Sequence, residues 1–143
     1  MWILFAISAS LFWGIGYVLN EEIYKKISLY SYLAIASFVV FLISLLIAYF
    51  NNSIKSDFIE IISSKRTLLY VLGGIVTLVI AEFSIGSAIV AKNAVLSSLI
   101  ELSYPVFIAL FSYLLFRNNI TISTVVGGII VIFGVFIIGY YNH

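Results

Sequence analysis

Five apolar runs, each close to the ~20 residues that a helix needs to cross a bilayer, fill most of this chain: 2–20, 29–50, 67–87, 93–116 and 121–141. The composition agrees. Of 143 residues, 64% are hydrophobic and 9% charged, with no cysteine, where a soluble domain carries about 25% charged residues. No strand-length alternation of polar and apolar residues recurs, which argues against a β-barrel. The expected fold is therefore all-α and integral to the membrane, with five transmembrane helices in one domain over residues 1–143. Residues 1–20 contain no charged side chain, so the basic start of a cleaved signal is missing and this stretch reads as a retained first span.

Several functions find no support. The lone histidine, His143, is terminal, and no metal-ligand spacing or cofactor motif exists. A net charge of +1 offers no electrostatic case for nucleic acid. No nucleophile–base set or phosphate loop can be assembled, so an enzyme is not expected.

The fourth run carries both a carboxylate and the chain's one proline, in ELSYP at 101–105. Proline lacks an N–H, so Pro105 cannot bond the carbonyl four residues back, which belongs to Glu101. An ionisable side chain beside a released carbonyl suits a site that handles a solute or ion. The same residues equally fit a bare proline kink, with the carbonyl satisfied by a hydroxyl and a protonated glutamate in a helix contact. Only Glu82 and Glu101 lie well inside runs. Each is about nine residues from a turn at Ala91 and Lys92, or roughly 14 Å along a helix, which would put them at one depth. Two carboxylates close together in low dielectric cannot easily both ionise, a property suited to proton-coupled exchange or a cationic solute. Against this, they could face apart, or bond locally; Ser97, Ser98 and Tyr104 are near Glu101. Lys92 and Asn93 read as loop residues, and Arg117 as the polar end of a span.

An odd number of spans puts the chain ends on opposite faces. Lys55, Lys65, Arg66 and Arg117 fall on the N-terminal side, Lys25, Lys26 and Lys92 on the other, almost no bias under the positive-inside rule. The chain inserts either weakly with its N-terminus inside or in both orientations. Small residues recur every four positions at Ala6, Ser10 and Gly14 and every seven at Gly74, Ala81 and Ala88. Gly127 and Gly134, beside Gly128, repeat the seven-residue spacing. Such stripes predict close helix contacts in a compact bundle. Trp2, Tyr49, Tyr140 and Tyr141 read as interfacial anchors. The longest connection, 51–66, holds SDFIEIIS at 56–63. It fits either a short interfacial amphipathic helix with Asp57 and Glu60 at capping-box spacing, or a solvated loop.

The segment LFWGIGYVL at 11–19 resembles the opening W-G segment of EamA-type proteins of the drug/metabolite transporter superfamily. AIVAKNAVLSSLIELSYPVF at 88–107 strengthens the resemblance, as do LLF at 114–116 and the glycines Gly127, Gly128 and Gly134. Two departures stand out. Ser37 lies near the place where many relatives carry an arginine, and Arg117, Asn118 and Asn119 replace a glycine–glutamate pair. The first-span glutamate of related four-span multidrug exporters has no counterpart here.

The resemblance implies half of a ten-helix inverted-repeat fold, since typical relatives contain two copies of this unit. It further implies a transporter of small metabolites or amphipathic compounds in the cell (inner) membrane, working by alternating access without a cofactor. An antiparallel homodimer, or a heterodimer with an oppositely inserted paralogue, would rebuild ten spans. Glu101, Pro105 and Tyr104 would line the path with Trp13, Gly14 and Tyr17, and Glu82 would tune protonation. The competing readings are a non-transporting accessory or assembly subunit and a lipid-carrier flippase.

Overall fold

In hydrocarbon a backbone must satisfy its own hydrogen bonds, and this chain does so as helices throughout. The computed structural model of the protein describes residues 1–141; His143 lies outside them. The helices are α1 (Trp2–Tyr24), α2 (Leu29–Phe50), α3 (Ile54–Ser63), α4 (Lys65–Ala91), α5 (Ala94–Glu101), α6 (Tyr104–Phe116) and α7 (Ile122–Tyr141). No strand occurs among the described residues. Five spans are long and apolar enough to cross a membrane: α1, α2, α4, α5 with α6, and α7. Several hydroxyls inside spans bond their own helix, as in Thr77 to the Gly73 carbonyl at 2.9 Å and Ser84 to Ile80 at 2.7 Å. They thus meet lipid without an open donor.

The chain forms two compact units, one made of Met1–Glu21 with the chain from Ala88 onward, the other of Glu22–Ser87. In the second unit, Ser28 starts α2 by accepting the Ser31 N–H at 3.2 Å. Leu29 follows as a buried residue, seated over Gly86 of α4. A Cβ built on Gly86 would collide with Leu29 Cδ1, so glycine is what permits this approach. Tyr30 and Phe83 pack at 5.8 Å between the same helices, and Tyr24 meets Tyr32 edge-on at 5.7 Å.

The 56–63 segment is a helix, but it begins at Ile54 and forms no capping box. Ser53 precedes it without a side-chain cap, and Asp57 sits inside the first turn, where a carboxylate favours the helix dipole. The first span runs a turn past Asn20, which brings Glu21 and Glu22 onto α1.

In the first unit, α7 packs against both α5 and α6, with Gly128 facing Val106 at ordinary contact distance. The α6 end closes on Arg117 in a left-handed conformation (φ 58°), its N–H bonding the Tyr113 carbonyl at 2.9 Å. Glycine commonly occupies that position. Here the guanidinium lies over the Tyr113 ring, 5.8 Å from its centroid. A Cβ built on Gly14, Gly74, Gly127 or Gly134 would meet nothing within 4 Å among the described residues. Only Leu29, Gly86, Ile89, Ala94 and Ser97 are buried among the described residues. Exposed apolar side chains are tolerable where the solvent is lipid.

Gly86 and Gly74 should therefore respond oppositely to substitution. Gly86→Leu is expected to destabilise by about 1–3 kcal/mol through overpacking. In the monomer, Gly74→Ala is expected to be neutral or stabilising by up to about 1 kcal/mol. Thermal unfolding of the two variants in detergent checks the contrast.

Candidate functional site

Proline at 105 does more than bend the fourth span. The helix stops at Glu101 and restarts at Tyr104, placing Pro105 in the first turn of α6. There its missing N–H would have had no helical partner anyway. Across the break the pattern tightens: Ser103 N–H bonds the Ile100 carbonyl and Val106 N–H the Ser103 carbonyl, both at 3.1 Å. These are three-residue steps in place of four.

The last turns of α1 clasp both ends of α5. At the start of α5, Asn93 caps the helix by accepting the Leu96 N–H at 2.8 Å. Glu21 Oε2 accepts the Ala94 N–H at 2.7 Å. A carboxylate there satisfies an otherwise open donor and opposes the positive end of the helix dipole. At the far end the Tyr17 hydroxyl donates to Glu101 Oε2 at 2.6 Å. Since residue 21 meets the beginning of α5 and residue 17 its end, the two segments run antiparallel. Asn20, between them on α1, has its side-chain oxygen sealed from solvent and without a hydrogen-bond partner among the described residues.

The site at the break is a cluster of oxygens. Glu101 is the last residue of α5, where the helix dipole presents its negative end. A proline at 105 offers no N–H to the Glu101 backbone carbonyl in any case. This arrangement attracts a cation or a proton-donating group and disfavours an anion. Beside it, the Trp13 and Tyr17 rings lie 5.7 Å apart at 52°, on one face of α1 a turn apart. Tyr104 opens α6 with its side chain about half exposed.

Of the residues singled out from the sequence, the structure brings Tyr17 to Glu101 and Trp13 to Tyr17. Tyr104 and Pro105 stand just past the break, and Gly14 faces open space. Glu82 belongs to the second unit, on α4, within electrostatic reach of Tyr24. Sequence reading placed Asn93 in a loop and did not foresee the role of Glu21. An asparagine ahead of Ala-Val-Leu is an N-cap signal, but the partner from α1 carries none.

The EamA-like transporter family model matches residues 1–140. The chain belongs to this family. Searches of curated proteins and of solved structures return no match. As an EamA protein it is a multi-pass membrane protein of the drug/metabolite transporter superfamily, and its length corresponds to a single repeat unit. The family consists of transporters and not enzymes.

The clasp should be measurable in this EamA unit. Asn93→Ala is expected to cost about 1 kcal/mol as a lost cap. Tyr17→Phe is expected to cost about 1–3 kcal/mol as a lost bond to a carboxylate. Unfolding of each variant in the same detergent tests both values, and a Tyr17→Phe protein as stable as wild type would count against the bond.

Proposed function

We propose that this protein carries small metabolites or amphipathic compounds across the cell (inner) membrane by alternating access, coupled to protons, as an antiparallel dimer. The observation that supports this most is the Tyr17–Glu101 hydrogen bond of 2.6 Å at the end of a broken membrane helix. Discontinuous spans with carboxylates at the break are where transporters hold substrates and coupling ions. Glu101 would exchange the proton or bind the solute, with Trp13, Gly14, Tyr17 and Tyr104 lining the path and Pro105 keeping the break open. Glu82 would tune protonation.

Two features favour the dimer. Five spans make half of the family's usual ten, and a repeat with an odd number of spans pairs with an inverted one. The glycine stripes at Gly14, Gly74, Gly127 and Gly134 are open within one chain, which leaves them for a second copy.

The decisive experiment is flux into liposomes containing the purified protein alone. Glu101→Gln is expected to fold normally and to lose transport at least tenfold. A variant transporting at the wild-type rate across a range of pH would remove the proposed role.

Topology is separately testable with paired C-terminal reporters that signal only inside or only outside. Signal on both sides is expected for dual insertion. Signal on one side sinks the homodimer, and obligate copurification with an unrelated protein would favour an accessory subunit.

A further inference from the structure

Among the described residues, α3 is the only helix too short to cross a membrane and not part of a broken span. It is tied at both ends to helices that do cross. Ser53 N–H bonds the Ala48 carbonyl of α2 at 3.2 Å. At the other end a single residue, Ser64, separates α3 from α4, and it accepts the Thr67 N–H at 3.2 Å. The Thr67 hydroxyl reaches back to Glu60 Oε1 at 3.2 Å. With so little slack, α3 stays where α2 leaves the membrane and α4 re-enters it.

Its two faces differ sharply. Ile54, Phe58 and Ile62 follow one another at four-residue steps, and they are 40%, 62% and 64% exposed. Residues four apart lie on one helix face, so the three form a continuous apolar stripe. Ser56, Glu60 and Ser63 occupy the opposite side, and Asp57 flanks the stripe beside Ile54. Lys55 borders the stripe, and Lys65 and Arg66 begin α4 immediately after it; all three are exposed. Arg66 is held in place by its Nε bond to the Tyr70 hydroxyl at 2.9 Å.

We propose that α3 is an interfacial anchor, with the Ile54–Phe58–Ile62 stripe laid into the headgroup boundary and Lys55, Lys65 and Arg66 bound to the phosphates of anionic lipids. The fixed connections hold the helix at the bilayer surface, and an apolar stripe so placed removes itself from water by entering the lipid. Cations on the rim of the stripe stand at the depth of the phosphates, and long basic side chains extend to them readily. The anchor is independent of the transport reading and stands or falls separately.

The test uses the full chain in nanodiscs of phosphatidylcholine with phosphatidylglycerol. The chain has no cysteine, so Phe58→Cys, Ile62→Cys, Ser56→Cys and Ser63→Cys each provide a single nitroxide attachment point on an exposed position. Labels at 58 and 62 are expected to be relaxed more by oxygen than by a water-soluble nickel complex, at depths of about 5–10 Å. Labels at 56 and 63 should show the reverse. Equal access of nickel to all four would overturn the anchor. So would protection of 58 and 62 from both reagents, which would mean that protein covers the stripe. The headgroup part is read from the triple variant Lys55→Gln, Lys65→Gln, Arg66→Gln. The immersed-to-solvated ratio of the label at 58 should fall roughly fivefold per cation removed. It should also fall for the unsubstituted cations when phosphatidylglycerol is replaced by phosphatidylcholine. An unchanged ratio in both cases would overturn recognition of anionic lipid.

Discussion

In hydrocarbon every peptide N–H and carbonyl must find a partner inside the protein, and Pro105 withdraws one donor from the fourth span. Much of the candidate site follows from that withdrawal. The span divides into α5 and α6, the proline falls in the one turn where it does least harm, and Glu101 becomes a helix end. A glutamate in mid-helix would be one polar side chain on a lipid-facing rod. At the end of α5 it joins its own backbone carbonyl and the negative end of the helix dipole.

A short helix of eight residues would be marginal by itself. The last turns of α1 hold it, with Glu21 on the Ala94 N–H at one end and the Tyr17 hydroxyl on Glu101 at the other. Asn93 adds its own cap, and α7 packs against the same segment. Both contacts from α1 are polar and directional, so they specify where α5 begins and ends in a way that apolar packing would not. In lipid such bonds also carry much of the specificity of helix association, because exposed and buried apolar surface differ little in free energy.

That last point explains the sparse burial. Leu29, Gly86, Ile89, Ala94 and Ser97 are buried among the described residues, and most large apolar side chains are exposed. For a soluble domain this would be untenable. For a single repeat of an EamA protein it leaves Gly14, Gly74, Gly127 and Gly134 open to a second copy or to lipid, whereas Gly86 lies under Leu29.

The spans themselves were legible in the chain because hydrophobic length is a local property. Residues 29–50 coincide with α2, and the others differ by a few residues at their ends, as at Glu21 and Glu22, where charge marks no helix stop. Pro105 announced a disturbed span, and Trp13, Tyr17 and Glu101 were identifiable as polar or aromatic groups in an apolar setting. What one dimension cannot hold is partnership. The Tyr17–Glu101 bond joins residues 84 apart and the Glu21–Ala94 bond residues 73 apart, and neither separation has a periodic signature. The small-residue stripes show the converse: their spacing reports which face is small, but whether anything approaches that face depends on where other helices lie. Composition and proline chemistry thus determined a five-span membrane protein with a disturbed fourth span, while only the tertiary structure decided that the span breaks and which side chains meet there.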